Sequence, residues 1–173
     1  GRRHEMLAIT SSLARGISQV GIPLEVTGFT EEHHYSARSK PHCVRSGNLM
    51  IYHAKGFDDP LDHRRIAGLM NMQMGFTPDT EALQLAVERI DKRIDKRKIV
   101  IILTDGSSQS ANAGKLTYRG KVIENRRKVY VKHRESILEQ AEKDGNEVYA
   151  IALGSHSMSA YKPERVLQVA DVH

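Results

Sequence analysis

Five consecutive apolar residues, Ile99-Val100-Ile101-Ile102-Leu103, run straight into the polar turn Thr104-Asp105-Gly106. The run has strand length and falls far short of the ~20 apolar residues that a membrane helix needs. A strand without polar alternation is buried on both faces, as in parallel sheets covered by helices. Val148 to Leu153 repeats the pattern and ends on Gly154-Ser155-His156. Buried strands separated by amphipathic segments predict an α/β fold, with a mainly parallel sheet and helices on both faces. Ligands of such folds bind beyond the carboxyl ends of the strands. The polar residues that follow each strand are therefore the first candidates for function.

The intervening segments carry a helical period. Leu7, Ile9, Leu13, Ala14, Ile17 and Val20 predict a helix over 4–19, ended by Gly21. A strand is expected over 22–29, with Pro23 at its start. A polar loop over 30–47 and a short strand over 48–53 follow. Asp59-Pro60 opens a helix expected to reach Met74, with Ile66, Leu69, Met70 and Met74 on one face. Gly75-Phe76-Thr77-Pro78 breaks the pattern, with Thr77 placed as a helix N-cap and Pro78 as the first helical residue. Leu83, Ala86, Val87, Ile90 and Ile94 then form one stripe. A last helix is expected over 131–143, stopped by Asp144-Gly145. Residues 166–172 are too short a pattern to assign.

At 173 residues the chain is expected to form one domain over 1–173. A single cysteine, Cys43, excludes an internal disulfide and a multi-cysteine zinc site. A lone thiol fits a reducing compartment, and a cytoplasmic location is expected. The chain opens Gly1-Arg2-Arg3-His4, without an initiator Met or an apolar stretch behind it, so no secretory leader is expected here. The net charge of +5 is uneven. Lys115, Arg119, Lys121, Arg126, Arg127, Lys128, Lys132 and Arg134 face one acid, Glu124, within that stretch. This segment is either a solvated surface or a nucleic-acid contact made through Lys115, Arg119, Lys121, Arg126, Arg127 and Lys128. Only Tyr118 and Tyr130 lie among these cations, which offers little base stacking.

Other chemistries fail on spacing. Gly114-Lys115 lacks the earlier glycine and the following Ser or Thr of a phosphate loop, since Gln109 and Leu116 stand there. None of the nine histidines has the i, i+4 spacing of a helical zinc site. Gly154-Ser155-His156-Ser157-Met158 lacks the second glycine of a nucleophile elbow. Met70, Met72 and Met74 read as core residues. Two oxygen-rich turns remain, Thr77-Pro78-Asp79-Thr80 and Thr104-Asp105-Gly106-Ser107-Ser108. Hydroxyl and carboxylate oxygens are the hard ligands that Mg²⁺ accepts. Each turn also has a plain structural use, as a cap or a strand-end bend.

The order of these pieces resembles a von Willebrand factor A (vWA) domain, most nearly the carboxy-terminal vWA domain of cobaltochelatase subunit CobT. The resemblance rests on Gly28-Phe29-Thr30, Leu69-Met70, Thr77-Pro78-Asp79-Thr80-Glu81-Ala82-Leu83, Ile102-Leu103-Thr104-Asp105-Gly106, and Val148 to Gly154 followed by Tyr161. It covers nearly the whole chain. It implies a metal-ion-dependent adhesion site (MIDAS), in which one Mg²⁺ or Mn²⁺ is held by an Asp-x-Ser-x-Ser motif, a Thr and an Asp. Thr77 matches the Thr position and Asp105 the Asp position, with Asp79 beside them as a further metal candidate. Thr80, Ser107 and Ser108 are the implied partner contacts. Hydroxyl ligands add no charge, so the ion keeps the Lewis acidity to capture a partner's carboxylate. The implied role is a protein-binding module, not an enzyme, working beside a ring-forming AAA+ ATPase of the CobS kind.

The chain departs from the family at one point. No Asp-x-Ser-x-Ser occurs in it. In the family that motif and the central strand precede the first helix, which here begins near Gly1. The domain is thus expected to be N-terminally incomplete, with the metal bound only when the upstream ligands are present. Either an additional segment or a gap is then expected between the strands near 22–29 and 99–104. The alternative is a degenerate domain that binds no metal, with another segment supplying the strand.

Overall fold

The computed structural model describes residues 2–33, 47–73, 75–104, 115–118, 121–125, 127–154, 158 and 161–169. Helix α1 spans Arg2–Gln19. Gly21 follows it at φ 73°, with Gly21 N–H on the Ser18 carbonyl and Ile22 N–H on that of Ile17. A left-handed glycine here satisfies carbonyls that the helix end leaves open. β1 (Val26–His33) and β2 (Gly47–Lys55) pair antiparallel, with Phe29 opposite Ile51. α2 (His63–Gly68) follows, capped by the Asp62 carboxylate on the Arg64 N–H, and a 3-10 turn covers Leu69–Asn71. Then come α3 (Asp79–Asp91), β3 (Lys98–Thr104), β4 (Lys115–Tyr118), β5 (Lys121–Asn125), α4 (Arg127–Lys143), β6 (Asn146–Leu153) and β7 (Val166–Val169).

The parallel sheet has the order β3-β6-β7, with Val100 beside Val148 and Ala150 beside Val166. The continuous apolar runs thus lie in its adjacent strands. Among the described residues the first expected strand does not join this sheet. It starts at Val26, not Ile22, runs on to His33, and among the described residues its ladder is with β2, with one isolated antiparallel bridge from Glu31 to Phe76. The strand expected over 48–53 is its antiparallel partner. Among the described residues no ladder joins β1 to β3. Phe29 of β1 nevertheless packs into the core around Val100 and Ile102.

Several boundaries differ from expectation. The helix expected from Asp59 to Met74 is short: the Asp59 carboxylate closes a turn by accepting from Gly56 N–H, and Asp62 starts the helix. Met74 lies outside the described residues. Pro78, not Thr77, is the N-cap of α3, and no side chain caps that end. Asp79 and Glu81 lie in the first turn, where carboxylates favour the helix dipole. α4 begins at Arg127 instead of 131, and the basic segment before it contains the β4–β5 hairpin.

Among the described residues, two cores organise the packing. In the larger, Leu83 of α3 and Ala141 of α4 cover Val100, Ile102, Val148 and Ala150, with Tyr161 at the margin. In the smaller, Ala14 of α1 meets Val26, Ala54 and Ile66. Burying each large apolar side chain here contributes roughly 1.5–3 kcal/mol. Alternation along β3 sends Val100 and Ile102 into the larger core and leaves Ile99 and Ile101 exposed on the other face.

Candidate functional site

The carboxyl ends of the strands gather at one side of the molecule. β3 and β6 are parallel, so Thr104 and Ala152 lie side by side where both strands finish. Gly154 follows at φ 95°, and a Cβ there would lie 2.8 Å from the Arg2 guanidinium. The left-handed φ favours glycine at this point, whereas the guanidinium is the far end of a flexible side chain. Arg3 donates to the carbonyls of Leu69 at 3.1 Å and Met72 at 2.7 Å. Met72 in turn lies against Gly28 of β1, where a Cβ would meet its sulfur at 2.8 Å. The start of α1 is thus tied to the 69–72 turn and to the end of β6.

The Thr77 turn reaches the same side through β1. Glu31 N–H donates to the Phe76 carbonyl at 3.1 Å, and Gly75 lies so close to β1 that a Cβ would stand 2.3 Å from the Glu31 carbonyl oxygen. Thr77 is half-buried next to this contact, immediately before α3. Thr30 and Glu31 are buried at this end of β1. Thr104, at the end of β3, is also buried. Asp105, Ser107 and Ser108 follow it in the sequence and lie outside the described residues.

Asp79 has an internal partner. It is only 5% exposed, and Arg134 Nη1 of α4 donates to its Oδ2 at 2.7 Å. Thr80 is fully buried, its backbone N–H donating to the Tyr130 hydroxyl at 3.3 Å. That hydroxyl donates to Glu81 Oε2 at 2.6 Å. Burial above all, with Glu81 beside it, pushes the Tyr130 phenol far above its ordinary range. Tyr161 is pushed up to about 12, first by burial and then by the Asp79 charge. The Thr80 hydroxyl, Arg134 Nε and the Tyr161 hydroxyl are buried without a hydrogen-bond partner.

The chemistry of these donors sets what they can hold. Among the described residues no three His, Cys, Asp or Glu side chains are grouped to hold a metal ion. Thr77 offers one neutral oxygen there, and Mg²⁺ demands near-octahedral oxygen coordination.

Residues 1–154 match the family model of the cobalamin biosynthesis protein CobT VWA domain. The chain belongs to this family. No curated protein matches it. The likeness drawn from the Thr77 and Asp105 turns therefore holds across most of the sequence.

Within this CobT VWA domain, the basic segment divides. Lys115 opens β4, Lys121 opens β5, and Arg119 and Arg126 lie outside the described residues. Arg127 and Lys128 are exposed on the first turn of α4. Sequence reasoning missed Glu31, Tyr130 and Arg134 as neighbours of the site turn. Glu31 falls in a polar stretch that reads as loop. Tyr130 and Arg134 are spaced i, i+4 just where α4 was expected to begin, and that spacing was the available signal. No described helix is long and apolar enough to cross a membrane.

Proposed function

We propose that this domain is a protein-binding module of a cobaltochelatase-type complex, capturing a carboxylate of its partner through a divalent ion. The family match carries this reading. The Thr77 turn beside the end of β1 supports it. Thr77 supplies a hydroxyl ligand and Asp105 a carboxylate ligand. The remaining ligands come from an Asp-x-Ser-x-Ser segment on a further strand, seated between β1 and β3. Two observations support that slot: no described ladder joins β1 to β3, and Phe29 of β1 shares a core with β3. The bound Mg²⁺ or Mn²⁺ supplies Lewis acidity toward a carboxylate. Ser107 and Ser108 contact the partner around it, and no bond is made or broken. The partner is an AAA+ ATPase ring of the CobS kind, and the assembly is cytoplasmic.

The test is binding of the ATPase subunit by the protein carrying the Asp-x-Ser-x-Ser segment, in Mg²⁺ and in EDTA, for wild type and Asp105→Ala. Binding is expected only in Mg²⁺ and only for wild type. Unchanged binding by Asp105→Ala would reject the site. Nucleic-acid binding through the exposed Arg127 and Lys128 is the competing reading, and it has a different signature. It would survive EDTA and fall steeply with salt.

A further inference from the structure

The first turn of α3 is gripped by two side chains from one face of α4. Tyr130 and Arg134 are four residues apart and project from the same side of the helix. Arg134 holds the Asp79 carboxylate, and Tyr130 bridges the Thr80 N–H and the Glu81 carboxylate. Thr77 is joined to this turn through Pro78, whose ring restricts φ, so few soft torsions separate it from the gripped residues. A buried ion pair adds little stability over well-packed apolar residues of similar volume. Thr80 Oγ1, Arg134 Nε and Tyr161 Oη around it are also buried and unpartnered, which is a cost. What the arrangement supplies is position.

We infer that Tyr130 and Arg134 are positioning residues that set Thr77, and that Asp79 is the anchor of Arg134 and not a metal ligand. The inference rests on the ligand role proposed for Thr77. Two groups of residues within one turn thus have separate tasks. Thr77 faces the ion, while Asp79, Thr80 and Glu81 face α4.

The test is a double-mutant cycle of Asp79→Asn and Arg134→Gln in the 173-residue chain, read by melting temperature and by backbone amide NMR. Each single substitution is expected to lower the melting temperature and move the Thr77 and Thr80 resonances. The double substitution should lower it no further than the worse single. Additive losses, or a Thr77 resonance that does not move, would overturn the inference. Should Arg134→Gln not fold, Tyr130→Phe removes one oxygen and keeps the question open to measurement. It is expected to speed hydrogen exchange at the Thr80 amide roughly tenfold, the effect of one lost hydrogen bond, and unchanged exchange would contradict the grip. A Mn²⁺ titration of the protein carrying the Asp-x-Ser-x-Ser segment adds a second readout. Positioning weakens Mn²⁺ affinity by a similar factor in Asp79→Asn, Arg134→Gln and Tyr130→Phe. Ligation by Asp79 instead abolishes it in Asp79→Asn and spares Arg134→Gln. If the wild type binds no Mn²⁺, the metal reading fails, and the amide shifts alone still decide the positioning role.

Discussion

Leu83 is 1% exposed and stands where α3 meets both buried strands. Leu83→Ala is expected to cost about 2–5 kcal/mol, the range for a buried leucine that leaves a cavity, measured by chemical denaturation. Tyr161 gives a pH signature at the edge of the same core. Its phenol is pushed from near 10 up to about 12 by burial. The folded state keeps this proton after the unfolded chain has lost it. Stability is therefore full below pH 10 and falls as pH rises toward 12. Tyr161→Phe is expected to flatten that alkaline limb in melts taken from pH 9 to 12. Tyr130, held neutral by burial, contributes in the same direction and keeps part of the limb in the variant. At this scale Thr77 was legible in the sequence as a site candidate, but its use as an N-cap was not borne out. Pro78 takes that place, and no side chain caps α3. The tie of Asp79 to Arg134 was hidden because it joins residues 55 apart, and sequence shows the spacing within a helix but not the crossing of two.

At the scale of elements, the strands that announce themselves are the unbroken apolar runs, although Ile99 and Ile101 of β3 are exposed on the face away from the core. β3 and β6 appear as unbroken apolar runs because helices cover one face and neighbouring strands both flanks of β6. β1 was cut short because Thr30-Glu31-Glu32-His33 is polar. Those residues pair antiparallel with Gly47 to Met50, where the ladder and not apolar burial defines the strand. The β4–β5 hairpin was masked for a similar reason: lysines stand where apolar residues would mark a strand, and the charge run suggested exposed surface. At the head of the parallel pair, Arg97 donates to both oxygens of Glu147, at 2.7 and 3.1 Å, and Tyr149 donates to it as well. These bonds, Arg97 first, hold the Glu147 carboxyl down to about 2 from its ordinary 4.5. A depressed carboxyl stabilises the fold above its unfolded pKa and loses that contribution as pH falls through the folded one. The window is therefore pH 4.5 to 2. Glu147→Gln is expected to flatten the acid limb of the stability profile there, and an unchanged limb would show that the bonds do not hold in solution.

Across the whole molecule, the α/β class, the parallel pairing of β3 with β6, and the family were readable from the order of apolar runs and turns. The division into a β1–β2 ladder and a β3–β6–β7 sheet was not readable, because hydrogen-bond partners of a strand lie outside its own sequence. That division bears directly on function. A carboxylate-capturing ion needs more oxygens than Thr77 and Asp105 provide, and its further ligands are proposed on a strand between the two ladders. Titration of Mn²⁺ into the 173-residue chain, and into the same chain extended upstream until it carries Asp-x-Ser-x-Ser, tests this most directly. Heat release and the rise in melting temperature report binding. Tight binding is expected for the extended chain alone, and it should be lost with Thr77→Ala or Asp105→Ala. Equal tight binding by both forms, or none by the extended one, would contradict it.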